Sequence, residues 1–195
     1  MSESIIIRKL GARESKKLTE EISSTFLRTL RITTKLDLFG HVNRLNKSII
    51  QWIQMHPFLR SVIKEIDGQF YFVYHEMLAN NSDLQLYHNK KLPNVNYLRV
   101  RSSDFTTDPD QAFDDLCTLI VERELHTNID FSNDLLWRLI ILQKVNENSL
   151  ENEYEIFFIS KHSISEGKNA NSILVQFVEK IDRNFSSNHQ IDEIE

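Results

Sequence analysis

Glycine is scarce, at positions 11, 40, 68 and 167 only, and no two of these lie close together. That spacing excludes both the Gly-x-Gly-x-x-Gly fingerprint and the phosphate-cradling loop, which need clustered glycines where backbone approaches phosphate. Dinucleotide and nucleoside-triphosphate chemistry are therefore not expected. Cysteine is scarcer still. Cys117 is the single one, so neither an intrachain disulfide nor a thiolate zinc cluster can form, and a reducing compartment fits. Long apolar runs are missing as well. Between Met1 and Leu10 only Ile5-Ile6-Ile7 is continuous, too short for a signal-peptide core and far too short to span a bilayer, so a cytoplasmic address is expected. Finally there is no excess of positive charge. A net charge of -5 and a pI near 5.8 offer no cationic face to release counterions from nucleic acid or to meet lipid headgroups, so neither is expected as a partner.

What is present is an ordinary globular composition over 195 residues, enough for one core. Ile5 to Leu10 reads as a β-branched strand. Arg13 to Leu30 carries Leu18, Ile22, Phe26 and Leu30 at helical spacing and predicts a helix, followed by a short strand from Thr33 to Phe39. Val42 to Ile53 is an amphipathic helix stopped before His56-Pro57. Phe58 to Ile66 and Gln69 to His75 are β-rich runs joined by Asp67-Gly68, the pair that suits a tight hairpin. Asn80 to Thr107 is polar and irregular, with a short strand expected from Tyr97 to Arg101. Asp110 to Leu125 predicts a helix with Phe113, Leu116, Cys117, Ile120, Val121 and Leu125 on one face, after an Asp-Pro start signal. Leu135 to Val145 and Glu153 to Ser160 predict two adjacent core strands, and the apolar residues from Ile173 to Ile181 mark a last helix. Trp52 and Trp137 are expected in the core, His56 at a helix end satisfying nearby backbone, and Lys90, Lys91, Arg99 and Arg101 as solvated loop charges.

One segment carries chemistry. Lys161-His162-Ser163-Ile164-Ser165-Glu166-Gly167 lies between a hydrophobic strand and an amphipathic helix. A loop at a strand end presents an imidazole at the edge of a sheet, Gly167 permits a tight turn, and the acid can hold the loop through an internal ion pair. That arrangement suits His162 as a general base. Metal ligation by His162 and Glu166 at i and i+4 fits poorly, since glycine sits badly in a helix interior and no third ligand is apparent, so no metal is expected.

Two more segments precede it in order: His56-Pro57-Phe58-Leu59-Arg60 at a helix end, and Leu136-Trp137-Arg138-Leu139 opening the strand pair. In that order the three resemble the N-terminal lobe of the acyltransferase superfamily that includes chloramphenicol acetyltransferase, peptide-synthetase condensation domains and alcohol acetyltransferases. The resemblance covers nearly the whole chain, with residues 1–183 as the lobe and 184–195 as a polar tail. It implies an α/β fold, a mixed β-sheet flanked by helices, with His162 at the position of the catalytic base. It also implies that the acid of the loop is chiefly structural and pairs with an arginine, for which Arg60 and Arg138 are the candidates. Lys161 stands where the family has a first histidine, and Glu166 where it has aspartate.

The resemblance further implies a donor that is an acyl-coenzyme A or acyl-carrier thioester, an alcohol or amine acceptor, and no permanently bound cofactor. Its two lobes enclose the active-site tunnel. No Asp-Phe-Gly-Trp-Gly-like segment of a second lobe occurs here, so the chain is expected to be a fragment, a separate subunit or a half-sized relic, with a second lobe or a second copy as partner. Given that lobe, a side-chain nitrogen of His162 takes a proton from the acceptor, which then attacks the thioester carbonyl. The alternative is a non-catalytic half-domain that serves binding or assembly.

Overall fold

The structure, a computed structural model, describes residues 5–12, 14–15, 25–75, 92, 94–106, 108–130, 132–147, 149–164 and 167–186. Two sheets and three helices are built from them. The small sheet is antiparallel, with β1 (Ile6–Lys9), β4 (Gln69–Tyr74) and β3 (Ser61–Ile66) in the order β1-β4-β3. The large sheet runs β2-β7-β6-β5, from β2 (Thr25–Thr34), β7 (Asn152–Lys161), β6 (Trp137–Val145) and β5 (Val95–Arg101). It is mixed, because β5 runs parallel to β6 while the other pairs are antiparallel. The helices are α1 (Val42–Met55), α2 (Pro109–His126) and α3 (Gly167–Ser186). A 3-10 turn, Pro57–Arg60, joins α1 to the small sheet.

Alternation along β6 and β7 divides the interior in two, since successive side chains leave a strand on opposite faces. Trp137, Leu139, Ile141, Tyr154, Ile156 and Phe158 face a large core shared with α1, α3 and the small sheet. Ile140, Leu142, Phe157 and Ile159 face the other way, onto Phe113, Cys117 and Ile120 of α2. Both faces being covered explains why β6 and β7 read as nearly continuous apolar runs. Trp137 stitches the two sheets together: its Nε1 donates to Leu59 O at 2.6 Å, and its ring lies 5.3 Å from that of Trp52.

The hairpin at Asp67-Gly68 is as expected, with φ of 51° and 70° at the two loop residues, the paired positive values a type I′ connection requires. Asp108 caps α2 by accepting from Asp110 N at 2.9 Å, and Pro109 opens the helix. The short strand near Tyr97 forms as β5.

Three expected elements are corrected. Thr25 to Leu30 is strand, not helix, and pairs with β7 over ten residues. Phe26 and Leu30 lie four apart, which suits one face of a helix but is also an even spacing, and so one face of a strand. Thr25, Thr29, Ile32, Thr33 and Thr34 supply the β-branched content that settles it. Of the rest of the expected helix, Glu14 and Ser15 are helical, with Ser15 N donating to Gly11 O at 2.9 Å, while residues 13 and 16–24 lie outside the described residues. The strand expected from Thr33 to Phe39 stops at Thr34, because the hydroxyl of Tyr154 gathers the next segment into a turn. It accepts from Leu38 N at 2.9 Å and donates to Leu36 O at 3.1 Å. Lastly, Pro57–Arg60 is a 3-10 turn, not the start of β3, with Leu59 N bonded to His56 O. Lys90 and Lys91 lie outside the described residues. Arg99 is not simply solvated, since it donates to Gln143 Oε1 at 2.7 Å and lies 3.4 Å from Asp37.

His56 sits at the joint between α1 and the 3-10 turn, beside Trp52 and near Gln176 of α3. Burial pushes its imidazole below the usual histidine value, and the Gln176 amide opposes that in part. In the unfolded chain the ring protonates near pH ~6.5, before the folded ring does, so its stabilisation is present above that value and is lost as pH falls. Between about pH 7.5 and about pH 5, thermal unfolding is expected to show a steeper loss of stability in the native chain than in His56→Gln. Parallel curves would exclude His56 from the acid response.

Candidate active site

The site begins where β7 ends. Lys161 N donates to Leu136 O at 2.8 Å, the last tie to β6, and Ile164 N then donates back to Lys161 O at 3.1 Å. These two bonds close a turn that carries His162 and Ser163 just beyond the sheet. His162 is half-buried, and its ring rests on Phe26 of the neighbouring strand β2, with centroids 4.2 Å apart and planes inclined by 60°. Arg28, two residues on, lies over the same Phe26 ring at 5.1 Å and donates from Nε to Asn171 Oδ1 of α3 at 3.1 Å. Strand β2 thus seats the imidazole through Phe26, and Arg28 ties that strand to α3. A half-exposed histidine held against an aromatic ring can accept a proton from a group brought to its open side.

Behind the turn, on the α2 face of the sheet, lies a second set of polar groups. Arg138 places Nε 2.9 Å from Glu124 Oε2, and its terminal nitrogen donates to Thr127 O at 3.0 Å. Arg123 approaches the other Glu124 oxygen at 2.8 Å. Glu124 is only 5% exposed, so the pair is largely withdrawn from water, and the guanidinium meets the carbonyls that end α2, where a cation is favoured. Lys161 is equally buried, at 5% exposure, with Nζ 3.4 Å from Asn128 Oδ1. Its burial, together with the charge of Arg138, lowers its pKa from the ordinary lysine value.

Of the residues singled out from sequence, His162 stands at the strand end as expected, and Gly167 is the first residue of α3. Glu166 lies outside the described residues, and so does its expected ion pair. Arg138 is engaged with Glu124 and the end of α2. Arg60 lies 4.8 Å from the centre of the Tyr74 ring, in the small sheet. Phe26 and Asn128 were not foreseen as part of the site, and neither was the burial of Lys161, which the sequence had placed where the family has its first histidine. Glu124 was legible in principle, because it continues the buried line through Phe113, Cys117 and Ile120 at helical spacing, whereas Leu125, assigned to that face, is 47% exposed. Among the described residues no group of three His, Cys, Asp or Glu side chains is placed to hold a metal ion.

Two sheets flanked by helices, with a histidine turn at the end of a central strand, define an α/β lobe of the chloramphenicol-acetyltransferase-like type. Solved structures share this fold. TlmII, a tallysomycin biosynthesis protein, superposes with a TM-score of 0.65 at 13% identity, over 89% of this chain and 38% of its own. A structure of the X-domain and OxyB complex from teicoplanin biosynthesis matches with a TM-score of 0.62 at 12% identity, over 95% of this chain and 34% of that one. A starter condensation domain of rhizomide synthetase matches at 0.61 and 11% identity, over 87% and 36%. The chain therefore spans little more than a third of the length of these proteins. No family model and no curated protein matches the sequence.

Proposed function

We propose that this chain is the first lobe of an acyltransferase that moves an acyl group from a coenzyme A or carrier-protein thioester to an alcohol or amine, with His162 as general base. The observation that carries the reading is the seat of His162, on a turn at the end of β7 and against Phe26, in a fold shared with condensation domains. In the proposed step the acceptor O–H or N–H gives its proton to the imidazole as the oxygen or nitrogen attacks the thioester carbonyl. The thiolate leaves and is reprotonated. The thioester is already activated, so positioning and proton transfer suffice and no covalent enzyme intermediate is needed. Coenzyme A or a carrier arm is here a substrate, not a resident group.

A binding or assembly half-domain without chemistry is the second reading. It is favoured by Lys161, which fills the position before the base with a side chain buried on the α2 side.

The test is to incubate the purified chain with acetyl-coenzyme A and a panel of alcohols and amines, following thiol release and product mass, with the mass of the protein in solution recorded. Ester or amide formation above the uncatalysed rate is the expected result. Release no faster than in buffer, for every acceptor, would overturn catalysis by this chain alone and leave a fragment or a binding module as the surviving readings.

A further inference from the structure

Lys161 is chemically out of place. Lys161 is 5% exposed, yet the acceptor that its ammonium reaches among the described residues is the neutral Asn128 Oδ1 at 3.4 Å, while the buried carboxylate of Glu124 is engaged by Arg123 and Arg138. Burying a cation without a counter-charge is costly, so a lysine in such a place is poorly explained by stability alone. Its lowered pKa is a consequence of the same burial. The backbone of the residue explains more. Lys161 N and O make the two hydrogen bonds that open and close the His162 turn, at 2.8 Å to Leu136 O and 3.1 Å from Ile164 N. Its side chain leaves on the opposite face of the sheet and ends on Asn128, in the segment that Arg138 fastens to the end of α2 through Thr127 O at 3.0 Å and Asn128 O at 3.4 Å.

We infer that Lys161 is a positioning residue for His162: its side chain anchors the turn to the α2–β6 connection through Asn128, and so fixes where the imidazole stands against Phe26. The anchor works like a pin through the sheet. The base sits on one side, the fastening on the other, and rotation of the turn about the end of β7 would pull Nζ away from Asn128. This inference concerns the placement of His162, and its importance to catalysis rests on the function proposed above.

The test uses the full chain, isotopically labelled, with the His162 ring protons as reporter, since the ring current of Phe26, 4.2 Å away, displaces their resonances. Lys161→Met keeps the stem and removes the amine, Asn128→Ala removes the acceptor, and the double variant closes a cycle. Each single variant is expected to move the His162 resonances toward those of a free histidine, with the double variant no different from either. The Tm of Lys161→Met is expected to be equal or higher, because a buried charge has been replaced by an apolar side chain. In acyl transfer the same variants are expected to lower kcat by about 10-fold or more, with KM little changed, the mark of a displaced group. Unmoved His162 resonances in both single variants, or effects that simply add, overturn the inference. So does a Lys161→Met chain that loses its fold together with the signal, if Asn128→Ala leaves His162 in place. If His162→Ala transfers acyl groups as fast as the native chain, the proposed function fails, while the resonance cycle still decides the anchor.

Discussion

His162→Ala is expected to reduce acyl transfer by about 10² to 10⁴ in kcat, the range that a positioned general base contributes. That is about 3–6 kcal/mol of barrier, at about 1.4 kcal/mol per factor of ten. The change falls on kcat because the imidazole does its work as the acceptor loses its proton, an interaction made in the transition state and absent from the bound substrate. The fold should tolerate the change, since His162 lies beyond the last tie between β7 and β6 and belongs to neither apolar cluster. Steady-state rates on the native and variant chains, with circular dichroism to confirm equal folding, give the answer. A variant that keeps its kcat would remove the base from the mechanism whatever the acyl donor.

Trp137→Ala is expected to cost about 3–5 kcal/mol of stability, enough to consume much of the margin of a small domain. The ring is fully buried and packs on Trp52 and Phe158, with centroids at 5.3 Å and 6.3 Å. Truncation leaves a cavity where the large sheet, α1 and the 3-10 turn meet, and it orphans Leu59 O, which accepts from the indole at 2.6 Å. Trp137→Phe separates the two losses. It keeps most of the packing and removes the donor, so about 1–3 kcal/mol should remain, the cost of an unpaired buried carbonyl. Denaturant unfolding of the three proteins measures both. Equal midpoints for Trp137→Phe and the native chain would show that water replaces the indole N–H, and a small effect of Trp137→Ala would contradict the role of this ring as the join between the sheets.

The resemblance rested on three short segments, and each proves to be a joint in the fold. His56 to Arg60 forms the bend by which α1 hands over to the small sheet. Leu136 to Leu139 begins β6 and supplies both Trp137 and the carbonyl that receives Lys161 N. Lys161 to Gly167 spans the end of β7 and the start of α3. Joints tolerate few residue types because backbone direction and buried hydrogen bonds are both at stake there, which is why such segments stand out beside apolar positions that accept volume-conserving swaps.

The sequence by itself determined the elements whose signal is local. Asp67-Gly68 meets the positive φ of its hairpin without strain from a bulky side chain, Asp108-Pro109 starts α2, and the apolar runs of β6 and β7 can be satisfied only by a sheet covered on both faces. It also placed His162 at a strand end. Tertiary structure decided the rest. Spacing by four in Phe26 and Leu30 is common to helix and strand, and ten residues of pairing with β7 chose between them. The same pairing put Phe26 under the imidazole. Arg138 was drawn to Glu124 because the buried line of α2 carries a carboxylate to the end of the helix, and Lys161 reached Asn128 because alternation sends its side chain through the sheet, away from the base. Those contacts join residues remote in sequence, and no local pattern encodes them. They follow from which faces the chain must bury together.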